Sequence, residues 1–154
     1  NDLLIANTHQ YAPSKYHLRR EGKKCRQQSS GLVFSTWLGQ GAWLNHIINQ
    51  KTIENLRKNI QDNQINNHYF VVAREISHKQ RVDHPWSWLD WTDQTTTITS
   101  DMHRGYVVPD GWDEVHFNRG ATITVNLAAP KLCLLTFRKT IYQKLADLIE
   151  QKLV

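Results

Sequence analysis

From Gly105 onward the sequence is a succession of short β-favouring runs separated by turn residues, and this constrains the fold more than any other feature. Gly105-Tyr106-Val107-Val108 and Glu114-Val115-His116-Phe117 flank Pro109-Asp110-Gly111. There proline presets φ at one turn position and glycine accepts the left-handed one, as a tight hairpin requires. Asn118-Arg119-Gly120 is a second turn, leading into the cleanly alternating Thr122–Leu127, and Pro130 marks a third before Leu132–Phe137. The pattern predicts a C-terminal four-strand antiparallel meander. A three-residue hairpin loop would set Val108 opposite Trp112, Tyr106 opposite Glu114 and Arg104 opposite His116, whereas a two-residue loop would bring His103 to Glu114 and His116.

Upstream, Leu32–Leu38 and His68–Ile76 are predicted strands, and Thr95–Thr99 is β-branched and extended. Apolar residues at Trp43, Leu44, Ile47, Ile48, Ile53, Leu56 and Ile60 recur at helical spacing, which predicts a helix or helix pair near 42–62. At the C-terminus Thr140 and Gln143 form a capping-box pattern ahead of the stripe Ile141, Leu145, Leu148, Ile149 and Leu153, which predicts a C-terminal helix. Residues 1–30 are polar and broken by Pro13 and Gly22, and are expected to be a basic irregular arm. Residues 31–154 then make a single domain of the α+β class, mostly antiparallel sheet. Its 154 residues suffice to bury a core without staples. The sequence begins at Asn1 rather than Met and reads as part of a larger protein.

Charge is segregated along the chain. Nine basic residues lie between Lys15 and Lys58 against two acids, Glu21 and Glu54; between Asp83 and Glu114 seven acids face one Arg104. Clustered cations attract polyanions. The expected partner is therefore nucleic acid, DNA or RNA. Lys15, Arg19, Arg20, Lys23, Lys24 and Arg26 would grip phosphates, with Tyr16 and His17 stacking on bases. Helix-turn-helix, zinc-finger and RNA-recognition signatures are absent, so that expectation rests on charge and aromatic residues.

A second expectation is catalytic. His116, Glu114 and Arg104 on one hairpin face, with Tyr106, could move a proton and stabilise an anion at a phosphodiester, as a metal-independent, toxin-like ribonuclease would. A third is a protein-interaction module with an acidic partner. The indoles of Trp86, Trp88 and Trp91 are expected to pack over the sheet rather than line a slot. Scattered acids such as Asp83, Asp90 and Asp101 lack the lysine of metal nucleases, and no metal or other cofactor is expected. Gly39-Gln40-Gly41 lacks the third glycine and the Lys-Ser/Thr of a phosphate cradle, and no zinc spacing or serine-hydrolase elbow occurs. Cys25 and Cys133 have neither metal nor disulfide spacing, and no run of 18 apolar residues occurs. These features point away from a membrane and to a cytoplasmic location.

Overall fold

Ten strands form two antiparallel sheets in a computed structural model that describes residues 1–41, 43–58 and 62–130. In chain order the strands are β1 (Asp2–Asn7), β2 (Ser14–Arg20), β3 (Lys23–Ser29), β4 (Gly31–Thr36), β5 (Tyr69–Arg74), β6 (Leu89–Thr92), β7 (Thr96–Ser100), β8 (Gly105–Pro109), β9 (Val115–His116) and β10 (Thr122–Val125). The first sheet has the order β6-β5-β4-β1-β8-β9 and the second β10-β7-β2-β3. Four short helices complete the described residues: α1 (Trp43–Ile47), α2 (Gln50–Arg57), α3 (His78–Asp83) and α4 (Pro85–Trp88). The protein is α+β, with a mostly antiparallel core.

Burial explains the arrangement. Ile5, Leu32, Phe34, Tyr69 and Val71 of the first sheet meet Tyr16, Leu18, Cys25 and Ile98 of the second in one apolar cluster. The alternate residues Phe70 and Val72 point to the other face, where Leu44, Ile48, Ile53 and Ile65 cover them with Trp91. β5 is thus buried on both faces and reads in sequence as a continuous apolar run. Of the two expected arrangements, one helix or a pair, the described residues form a pair, because Asn49 interrupts the region: its side chain accepts from Thr52 N at 2.9 Å and caps α2.

Three expectations are corrected. Residues 1–30 are not irregular: they contain β1 and the β2–β3 hairpin. The hairpin turns through Glu21 and Gly22, both at positive φ (47° and 75°), the geometry of a two-residue primed turn. The C-terminal strands do not form a meander. β8 pairs with β1 and β9, whereas β10 pairs with β7 of the other sheet. The crossing occurs at Phe117, which is 1% exposed and buried between the sheets, while Ser100 Oγ donates to its carbonyl at 2.7 Å. The β8–β9 register also differs, with Tyr106 opposite His116 and Val107 opposite Val115. Asp113 adopts a positive φ of 47° in addition to Asp110 and Gly111, which lengthens the loop and moves the pairing by two residues. The expected strand at 132–137 and the C-terminal helix lie outside the described residues.

Candidate functional site

The β2–β3 hairpin carries the residues expected to contact nucleic acid, and its alternation divides them between two faces. Arg19 stands opposite Lys24, and His17 opposite Arg26, on the outward face with Lys15. Arg20 points inward instead and is 4% exposed. Its Nη2 donates to Trp86 O at 2.6 Å and pairs with Asp90, and its guanidinium lies over the Trp86 ring. Tyr16 is fully buried, with its hydroxyl 2.7 Å from Ser29 Oγ, so it cannot stack on a base. Arg26 pairs with Asp101 at 2.7 Å, and Arg119 reaches the same carboxylate at 3.4 Å. The hydrogen bond from Arg26 holds the Asp101 carboxyl below its usual range. Two of the expected phosphate contacts are therefore engaged by acids from the middle of the chain, and Lys23 stands exposed at the hairpin tip.

The expected catalytic group is not assembled. Tyr106 and His116 do meet, with ring centroids 5.2 Å apart. Glu114 and Arg104 are exposed, and among the described residues no hydrogen bond or ion pair joins their side chains to His116. Trp91 packs as expected, in a three-ring cluster with Trp37 and Phe70 at centroid distances of 5.3 and 4.8 Å. Trp86 and Trp88 pack against the inter-sheet cluster. Among the described residues no three His, Cys, Asp or Glu side chains gather as metal ligands.

A different constellation has the character of a binding site. It lies at the end of the first sheet where β1 begins, β4 ends and the β8–β9 loop turns. A hollow of about 460 Å³ is lined there by Asp2, Leu38, Gly39, Trp43, Asp110 and Gly111, with Asn1. The backbone is pinned on all sides: Asp110 N donates to Asp2 O at 2.8 Å, Asp2 N to Asp110 Oδ1 at 2.9 Å, and Thr36 N to Asn1 O at 3.0 Å. The segment after β4 folds back as a 3-10 turn, Trp37–Gly41, with Gly39 N donating to Thr36 Oγ1 at 3.3 Å.

Gly39 is required by closeness rather than by φ. A Cβ there would stand 2.3 Å from Asp2 Oδ1 and 2.7 Å from Ser35 Oγ. That same Asp2 Oδ1 is buried and has no hydrogen-bond partner. A buried carboxylate oxygen without a donor is costly, and here it belongs to a residue that lines the hollow. Trp43 and Leu38 supply apolar surface beside it. The lining contains two carboxylates and, besides the Asn1 ammonium paired with Asp110 at 2.6 Å, no lysine or arginine, so it suits hydroxyl donors better than phosphates. Sequence reasoning missed Asp2, Gly39 and Trp43. The glycine pair at 39 and 41 was the only local signal, and its meaning depends on β1 lying beside β4.

No protein family matches the sequence, and no curated protein matches it. The fold does match solved structures. An NAD kinase from Archaeoglobus fulgidus in complex with ATP superposes with a TM-score of 0.55 at 14% identity, over 82% of this chain and 44% of that one. Yeast NADH kinase complexed with NADH superposes with a TM-score of 0.62 at 12% identity, over 86% of this chain and 35% of that one. The chain spans less than half the length of either. This likeness corrects the expected function. The fold is that of NAD(H) kinase structures, whose bound ligands are nucleotides, and not that of a DNA- or RNA-binding domain, a nuclease or an acidic-partner module.

Proposed function

We propose that this chain is the sandwich portion of a nucleotide-binding enzyme of the NAD(H) kinase type, and that it holds the nucleoside part of its nucleotide in the hollow beside Asp2. The observation that carries this reading is the buried, unpartnered Asp2 Oδ1 above Gly39. A carboxylate is the group that dinucleotide sites use to accept a ribose hydroxyl. The lining has no lysine or arginine, and the Asn1 ammonium is already paired with Asp110, which favours placing ribose and ring there, with the phosphates directed elsewhere. Trp43 would then lie against a ring of the ligand. The bound ATP and NADH of the two fold neighbours support a nucleotide over other ligands of this size. Among the described residues no helix is long and apolar enough to cross a membrane, and a cytoplasmic location agrees with this reading.

The test is direct binding of NADH, NAD and ATP, followed by fluorescence anisotropy or calorimetry. Asp2→Asn should weaken NADH binding by about tenfold, the equivalent of one hydrogen bond to a charged group. Gly39→Ala should abolish it by forcing the turn away from β1. Unchanged NADH affinity in both variants would remove this hollow as the site.

A further inference from the structure

A second hollow, of about 640 Å³, opens at the opposite end of the sandwich, where β1 ends and β4 begins. Its walls are the β1–β2 loop (Gln10–Pro13), the β3–β4 junction (Gln28–Ser30) and the segment after β5 (Glu75–Gln80). Its lining contains no lysine, arginine or histidine, and Glu75 is its one charged group. Anionic ligands are therefore disfavoured.

Its polar groups are held in place and only partly used. Glu75 sits at φ 49°, a left-handed conformation costly for a non-glycine residue, and its carboxylate accepts from Ser30 Oγ. Gln80 Nε2 donates to Arg26 O at 3.3 Å, which fixes α3 against the free edge of β3. The amides of Gln10 and Gln28, in contrast, form no intramolecular hydrogen bond among the described residues. Each offers two donors and an acceptor. Above them Tyr11 is 87% exposed, and its ring stacks on His9 with centroids 5.2 Å apart and planes within 14°. Its other face is open.

We propose that this hollow binds a neutral, hydroxyl-rich ring, a sugar unit, with its C–H face on Tyr11 and its hydroxyls on Gln10, Gln28 and Glu75. A sugar combines the two properties the lining selects. It has an apolar ring face for the tyrosine, and vicinal hydroxyls that both donate and accept, as the amides do. The volume lies within the range of small-molecule sites. The site is separate from the Asp2 hollow and does not rest on the nucleotide reading.

The test is titration of the isotope-labelled chain with methyl glucoside, ribose and adenosine, followed by amide NMR. Saturable shifts on adding either sugar, confined to residues 10–13, 28–30 and 75–80, are expected. Tyr11→Ala should abolish them, and Gln28→Leu should weaken the affinity by about tenfold. Both positions are on the surface, so the variants fold, and an unchanged spectrum away from the hollow verifies it. Shifts produced by adenosine alone would overturn the proposal in favour of a base. Absence of shifts at millimolar sugar, or shifts unaffected by both substitutions, would overturn it outright.

Discussion

Arg20 shows how far a single residue can depart from the role its neighbours suggest. It sits in a run of cations, and a cation in such a run is ordinarily solvated. Here strand alternation turns it inward, where it donates to Trp86 O, pairs with Asp90 and lies over the Trp86 ring. Its Nη1 remains buried without a partner, and the neighbouring Gln27 reaches Ser87 O and Oγ at 3.1 and 3.0 Å. These two polar side chains fasten α4 to the second sheet. Removing the guanidinium strands Asp90 and the Trp86 carbonyl, and breaking a buried pair costs about 3 kcal/mol, the low end of the usual range, because Asp90 keeps a third of its surface in water. Arg20→Ala should therefore lower the unfolding free energy by that amount, read as a lower urea midpoint. Arg20→Lys should recover little of it, since an ammonium cannot serve a carbonyl and a carboxylate in one plane while stacking on an indole. Full recovery by lysine would show that charge alone is needed.

The β2–β3 hairpin is the element that sequence reasoning lost, and the reason is physical. Periodicity is recognised by apolar residues recurring on one face, whereas the inward face here includes Ser14, Arg20, Gln27 and Ser29 beside Tyr16, Leu18 and Cys25. The alternation is present in burial but disguised in chemistry, since Arg20 and Gln27 bond to residues 86–87, Ser14 to Asn7 and Ser29 to Tyr16. Where facing residues are apolar, as in β4, β5 and the helix pair, the elements were legible. The turn was disguised as well: Glu21-Gly22 occupies a conformation that favours Asn-Gly. Glutamate at φ 47° carries backbone strain that asparagine tolerates. Glu21→Asn should therefore stabilise the protein by about 0.5 kcal/mol, read as a higher denaturation midpoint. A lower midpoint would mean that the carboxylate is needed to offset Arg19, Lys23 and Lys24 around it.

At the scale of the molecule, topology was beyond reach because each sheet is assembled from strands distant in sequence. β1 pairs with both β4 and β8, and β7 joins β2 to β10. The same assembly mixes the segregated charges, bringing Asp90 to Arg20 and Asp101 to Arg26, so a linear count of cations overstated the free positive surface. It also left the Asp2 hollow invisible, since Asp2, Gly39 and Asp110 converge only through these pairings. What the two sheets enclose makes a further prediction. Burial raises the pKa values of Tyr16, Cys25 and Tyr69 above their ordinary values, because the interior disfavours the charged forms. All three are protonated in the folded state at neutral pH, and the unfolded chain loses these protons first as pH rises. Stability from this source is thus complete below the unfolded values, about 8.5 for the thiol and about 10 for the phenols, and is lost progressively above them. The protein should lose stability steeply in alkali, by up to about 1.4 kcal/mol per pH unit for each group that ionises only on unfolding. Tyr16→Phe removes the most deeply buried phenol. It should cost about 1 kcal/mol at neutral pH through the lost Ser29 hydrogen bond, yet make the decline above pH 10 shallower. Denaturation midpoints measured across the alkaline range for both proteins decide the matter: parallel curves would mean that Tyr16 ionises as readily folded as unfolded.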